Sequence, residues 1–299
     1  MTSVRKKVLS WVGVLVMGSV LGGVVLGAKQ HRAQASDSQF QSSQVYFYDV
    51  ESNSCRRADG QRGLNPAPRE NLVEHLRSRG GECANLVAVQ LRGAQLSGVR
   101  LQGANLSGAD ISYANLHLAQ LQGAHLSFAQ ATYADLRGAN LSQVRATEAD
   151  FSYSRLAEAD LNQAILNFSK LVGVNMREAM LSDSQLLRVN MVGADLSGAA
   201  LSRSNMSHAN LQYALLNNAL MDSVRAWETQ LIGAKLNGAV LTSANLSYSR
   251  LMFAELVGAL INQTNFKGAF YNDETAFSEG FDPDESGMVR LSMEQSYGD

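Results

Sequence analysis

Proline is almost missing from this chain of 299 residues: Pro66, Pro68 and Pro283 are the only three, and none falls between residues 84 and 269. A long span without proline fits a backbone whose N–H groups are all engaged in ladders. Cysteine is nearly as scarce, with Cys55 and Cys83 alone, which excludes a cysteine-rich metal site or a disulfide-dense scaffold. Charge of one sign is lacking too. The net charge is −2, pointing neither to a nucleic-acid partner nor to a strongly acidic role. No glycine-rich phosphate loop, metal-spaced Cys/His group or nucleophile elbow occurs. The chain reads as a non-enzyme without cofactor or metal.

What the chain has is a five-residue period running from Ala84 to Phe266 without a slip. Leu86, Leu91, Leu96, Leu101, Leu106 and Ile111 begin a column of 37 positions that ends at Ile261 and Phe266; 26 are Leu and the rest Ile, Met, Phe or Ala. Two residues before each stands Ala, Val, Ser or Thr, from Ala84 to Thr264. On an α-helix each step of five advances about 500°, so no apolar stripe forms. On a strand an odd period throws successive Leu to opposite faces. The chain must instead turn once per unit. Four turns close a square coil of twenty residues, with Leu and the small residue inside.

Segments such as Ala104-Asn105-Leu106-Ser107-Gly108 and Ala194-Asp195-Leu196-Ser197-Gly198 resemble the pentapeptide-repeat consensus A(D/N)LXX. The resemblance covers the whole periodic span and implies an all-β fold, a right-handed quadrilateral β-helix. It implies little about activity: members range from DNA-mimicking inhibitors and protectors of gyrase to proteins with none assigned.

Around this body we place four segments. Residues 1–35 form a signal peptide or signal-anchor, 36–83 a linker and helical cap, 84–269 the repeat solenoid, and 270–299 an acidic cap. Arg5, Lys6 and Lys7 precede Val8–Ala28, a stretch of 21 residues without charge. A spanning helix needs about 20 apolar residues, a signal core about 7–15. That length favours a retained N-terminal hydrophobic helix, while Ala33-Gln34-Ala35 offers cleavage after Ala35. Both place the repeats outside the cytoplasm, in a periplasm-like or thylakoid-lumen-like space. Val45-Tyr46-Phe47-Tyr48 favours a strand. Pro68–Arg79 reads as a short capping helix stopped by Gly80-Gly81. In an exported chain Cys55 and Cys83 would pair and tie linker to cap; the other reading is two thiols that never meet. Residues 270–299 hold eight acidic residues and one basic, Arg290. The stretch from Tyr271 to Pro283 resembles a closing segment that follows repeats in photosynthetic prokaryotes, with Phe277 and Phe281 as anchors.

Within the repeats, the residue before each Leu is Asn or Asp in 15 units, a short side chain suited to bonding nearby backbone. The second residue after each Leu is Gly in 13 units, at the third position of a turn, where type II geometry needs φ > 0. Bulky residues at the same position, such as Tyr133, Phe168 and Glu178, are expected to avoid φ > 0 and use another turn type. Phe151 is matched by its stacked neighbour Ala131, and Ala226 by Met206.

Function must reside on the outward columns. Tyr113, Tyr133 and Tyr153 recur every twenty residues, with Tyr213 and Phe253 further along; they form either a structural ladder or a contact surface. Met180, Ala200, Leu220, Val240 and Leu260 are apolar where earlier coils carry Arg100, Gln120, Asn140 and Asp160. This column is either a partner surface or a seat for the chain's own tail. His117, His125 and His208 lie in three different columns and do not converge. The repeats carry 13 Lys/Arg against 12 Asp/Glu, which disfavours the alternative of a DNA-mimic regulator of an enzyme such as gyrase. The reading is a membrane-tethered or exported protein-binding scaffold, its membrane contact through residues 8–28, its partner an unidentified protein or a second copy, and no nucleic acid bound. A retained anchor predicts that the protein stays with membranes after carbonate washing. A soluble chain beginning at Ser36 would establish cleavage instead, and a cytoplasmic, protease-protected repeat body would overturn both versions.

Overall fold

The computed structural model describes residues 45–57, 60–67 and 71–296. The expected hydrophobic N-terminal helix and cleavage site, with Pro68 at the proposed start of the capping helix, lie outside these residues. No helix among the described residues is long and apolar enough to cross a membrane.

The body is a four-sided coil. Each residue before a Leu bridges in parallel to its counterpart twenty residues on, from Asn85↔Asn105 to Val240↔Leu260 and Asn245↔Asn265. The same contacts recur along the coil. The Leu N–H donates to a carbonyl 19 residues ahead, as in Leu86 to Asn105 at 2.7 Å. The small residue's N–H closes the turn onto the Leu carbonyl, as in Ala104 to Leu101 at 3.0 Å. The ladder leaves one N–H per unit, that of the residue after Leu, and here the Asn/Asp column acts. Asp110 Oδ1 accepts from Ser112 N at 2.9 Å, and Asp150 Oδ1 from Ser152 N at 3.0 Å. Asn105 takes both Ser107 N and its hydroxyl. A buried N–H thus gains an acceptor.

The interior holds the Leu and Ala columns. Phe151 is 1% exposed between Ala131 and Leu171, and Ala226 is fully buried between Met206 and Leu246. At these two places a large residue is set beside a small one, as close packing requires.

The turns differ from expectation. Every third turn position is left-handed, whether glycine or not: Tyr133 has φ 59°, Phe168 61° and Glu178 57°. A left-handed L-residue costs about 1–2 kcal/mol, yet the coil imposes it. At this geometry the N–H of Tyr133 reaches Ser152 O at 3.1 Å, that of Phe168 reaches Leu187 O at 2.9 Å, and that of Glu178 reaches Ser197 O at 3.0 Å. Another turn type would aim these donors away from the next coil, and an unmade bond in a ladder outweighs the backbone strain.

Each end carries a cover. The region expected to be a linker with a short strand is a hairpin: β1 (Phe47–Asp49) pairs antiparallel with β2 (Ser54–Arg56). Cys55 is joined to Cys83 with 5.7 Å between their Cα atoms. Tyr48 and Cys55 face inward onto the corner at Gly103 and Gly123, where a Cβ would lie 2.6 Å from Cys55 Sγ and 2.1 Å from Asn53 Oδ1 respectively. Asn65 adds a rung beneath the first coil, its N–H donating to Cys83 O at 2.7 Å and its carbonyl accepting from Asn85 N at 2.8 Å. Helix α1 (Leu72–Arg79) buries Leu76 over the first Leu layer. At the far end β3 (Phe270–Tyr271) pairs in parallel with β4 (Val289–Arg290), followed by the short helix α2 (Met293–Ser296). Phe281 packs on Phe266 at 5.6 Å between ring centres and on Phe277 at 4.9 Å. These covers occupy part of each terminal edge, where a bare ladder would recruit another strand.

These contacts separate two kinds of glycine. Gly93 has nothing within 4 Å of a would-be Cβ, whereas Gly123 is under the hairpin. Asn tolerates the left-handed region, so Gly93→Asn should shift stability by less than about 0.5 kcal/mol. Gly123→Asn should cost about 1–3 kcal/mol by displacing Tyr48 and Asn53. Thermal melts of the two variants check this.

Candidate interaction surface

Three side chains in five point outward, so the candidate surfaces are columns along the coil. Tyr113, Tyr133 and Tyr153 project from left-handed positions on one corner. Their rings stack at 5.0 and 5.2 Å with interplanar angles of 15° and 16°. The Arg92 guanidinium lies 4.5 Å from the Tyr113 ring centre, and the Tyr153 ring lies against Gly173, 2.8 Å from where a Cβ would stand. Each ring therefore has its faces covered and presents its edge and hydroxyl to solvent, with about half its surface exposed. Arg92, 21 residues before Tyr113, belongs to a different column and gave no sequence signal. Tyr213 and Phe253 stand on the same corner; Tyr213 leans on Gly233.

The second column is the apolar one. Asp160, Met180, Ala200, Leu220, Val240 and Leu260 bridge successively, so they form one line along one side. Met180, Leu220 and Leu260 are 42%, 46% and 54% exposed, and Val240 is half-buried. The tail's aromatic anchors sit on Phe266 and Tyr271 at the end of the coil, leaving these three side chains open to solvent. Upstream in this column Asn140 and Asp160 accept the N–H groups of Ser142 and Asn162 at 3.0 and 2.9 Å. Met180, Leu220, Val240 and Leu260 have no acceptor to offer. Ser182 N turns instead to Asn162 Oδ1, one coil back, at 2.9 Å. The apolar residues thus replace side chains that would cap the backbone, a bond of about 0.5–1.5 kcal/mol each.

The flanks of this strip are close to neutral. On one edge run Gly198, Gly238 and Gly258, on the other Ser182, Ser202, Thr242 and Asn262. Two acidic residues nearby are paired: Arg203 holds Asp183 through two bonds of 2.9 and 2.6 Å, and Arg177 reaches Asp195 at 3.3 Å. The Arg203 hydrogen bond lowers the Asp183 carboxyl from its ordinary range. Asp222 accepts the Ser202 hydroxyl. Glu178 sits at the edge of the first apolar coil.

The three histidines stay apart. His117 Nδ1 meets Arg137 O at 2.8 Å. His125 is lowered in pKa by burial and by Arg145 one coil on. His208 contacts Glu228 at 3.2 Å and Trp227 edge-on at 4.1 Å. No group of three or more His, Cys, Asp or Glu among the described residues could hold a metal ion.

A periodic, four-sided, Leu/Ala-filled coil defines a class, and comparison with family models assigns it. The pentapeptide-repeat model matches in 8 copies over residues 90–127 and, in overlapping stretches, 132–268. The chain belongs to the pentapeptide-repeat family. Among solved structures it is similar to HetL, a pentapeptide repeat protein involved in heterocyst differentiation regulation from the cyanobacterium Nostoc sp. strain PCC 7120, with 28% identity over 62% of this chain and 91% of that one and a TM-score of 0.35. It is similar also to QnrB1, a plasmid-mediated fluoroquinolone resistance protein, at 18% identity over 56% and 84% of the two chains and a TM-score of 0.36. A thylakoid-lumen pentapeptide repeat protein of Arabidopsis thaliana, AT2G44920, shows 31% identity over 36% and 69%, with a TM-score of 0.27. Scores this low carry no functional argument. Among curated proteins nothing matches.

The Tyr ladder makes a prediction of its own. Tyr133→Ala keeps the strained backbone but loses two stacking partners, so it should destabilise by about 1–3 kcal/mol at roughly 0.5–1.5 per aromatic pair. Tyr133→Gly relieves the left-handed strain and should melt above the Ala variant; denaturant unfolding of both checks the order.

Proposed function

We propose that this pentapeptide-repeat protein is an exported, membrane-tethered protein-binding module whose contact surface is the apolar column Met180, Leu220, Val240 and Leu260. The observation that carries this reading is that the capping residues Asn140 and Asp160 give way, in the last five coils of the same column, to apolar residues of which Met180, Leu220 and Leu260 are exposed. A solvated ladder gains nothing from that exchange. An apolar strip gains on being covered, at about 25 cal/mol per Å² removed from water. Export is supported by the uncharged run at residues 8–28 and by the Cys55–Cys83 bond, since disulfides persist chiefly in oxidising compartments. The balanced charge of the repeats supports a protein partner over nucleic acid.

The double variant Leu220→Asp with Val240→Asp puts two carboxylates on the strip without touching the interior. In native membranes it should lose crosslinked association while its circular dichroism stays β-rich and its melting temperature falls by only a few degrees. Association at the parent level in that variant would refute the assignment of this surface.

A further inference from the structure

Resting on the reading of this chain as membrane-tethered, we infer that the coil lies along the surface of that membrane and docks on anionic lipid headgroups through one side and the corner that follows it. On that side Arg145, Ile165 and Arg225 belong to a single column of successive bridges. At the corner Phe128, Phe168, Arg188 and Tyr248 project from left-handed turn positions. Trp227 and Lys267 stand between the column and the corner.

Two observations select a lipid surface. The first is charge. Arg137, Arg177, Arg203 and Lys235, on other sides, are each held by a carboxylate of this chain. Among the described residues, Arg145, Arg188, Arg225 and Lys267 have no ion-pair partner, and all four are exposed. The acids on the same face are Glu148 and Glu228, and Glu228 contacts His208 at 3.2 Å. Four cations against two acids leave the face positive, the complement of an anionic leaflet. The second observation is how the exposed rings are set. Phe128 and Phe168 are two coils apart, and Phe168 and Tyr248 four, with Glu148, Arg188 and Glu228 in the turns between. A folded protein partner needs a contiguous apolar patch, which these isolated rings do not make. A bilayer is fluid and takes each ring separately at its interface, where Trp and Tyr are favoured. The corner is also the convex edge of the coil, so its rings enter first while the cations behind reach headgroups on long stems.

The contact runs along the coil axis. From Arg145 to Lys267 is six coils, roughly 29 Å at the ladder spacing, so docking sets the axis parallel to the membrane. The side bearing Arg145 and Arg225 separates this corner from the column of Met180 and Leu260, which stays clear for a protein partner. Attraction of this kind rises with anionic lipid content and falls with salt. The tether supplies the local concentration, so a face that binds weakly by itself is populated once the chain is anchored.

Trp227 reports the contact. The other tryptophan is Trp11, so the full-length Trp11→Phe protein carries a single indole. In vesicles of mixed phosphatidylglycerol and phosphatidylcholine with a shallow quencher lipid, at low salt, Trp227 emission should shift to the blue and be quenched. In vesicles of phosphatidylcholine alone, or at high salt, it should not. Arg188→Gln with Arg225→Gln in the same background should lower the ratio of docked to undocked protein about 25-fold, at about fivefold per basic residue. No quenching in the anionic vesicles, or equal quenching in the neutral ones, overturns the inference. Quenching by a single-stranded oligonucleotide and by no vesicle assigns the face to nucleic acid and overturns it as well. Carbonate washing separates the face from the tether. Release of protein whose Trp227 had been quenched refutes the tether and keeps the face, whereas retained protein with Trp227 unquenched keeps the tether and refutes the face.

Discussion

Everything in this protein hangs on one hydrogen bond repeated along the coil: a Leu N–H to the carbonyl 19 residues ahead. Its length fixes the twenty-residue turn and the turn fixes the four sides, so each residue's remainder on division by five decides whether it is inside. Few folds leave so little to side-chain choice. The Leu and Ala columns fill a space that the backbone has already defined, and the left-handed third position of each turn follows from keeping its own N–H aimed at the next coil.

A ladder of this kind is open at both ends unless something closes it, and the chain spends its irregular segments on closure. At the start, Asn65 supplies the missing rung, its side chain also bonding the backbone of Tyr46 at 2.9 and 2.8 Å and Glu82 O at 3.1 Å. The disulfide then ties the hairpin to the residue preceding Ala84. At the finish, Val289 N bonds Ala269 O and Leu291 N bonds Tyr271 O, both at 2.8 Å, while two Phe rings cover the last interior layer. The two solutions differ because the first coil must meet a chain arriving from outside, whereas the last can use residues already at hand.

The interior was legible from the sequence because its signal is a strict period that only one kind of geometry satisfies. Leu86 through Phe266 could be placed inside without knowing a single contact, and Asn or Asp before each Leu announced a backbone bond, though not that its target was the one donor the ladder omits. The turns were misread. Tyr133 and Phe168 have an intrinsic aversion to φ > 0, and single-residue preference ranked that above a collective constraint invisible in one unit. The hairpin was half seen: Val45–Tyr48 has strand character, but Tyr48 and Cys55 find their place only because Gly103 and Gly123 are bare, and that relation spans about 50 to 75 residues. The Tyr ladder was visible as a spacing, yet which ring faces remained free depended on Arg92 and Gly173, in positions that spacing does not single out.

The four polar coils from Arg100 to Asp160 that precede Met180 act as a spacer with a fixed gauge. Because each coil adds the same increment of about 4.8 Å and hands the next an identical rung, the distance from the disulfide-bound hairpin to the first apolar side chain is quantised. It can lengthen or shorten only in whole turns of twenty residues. A deletion of five would instead rotate the strip by a quarter turn onto a neighbouring side. Reach and bearing are thereby encoded in chain length alone, as separate digits of one count.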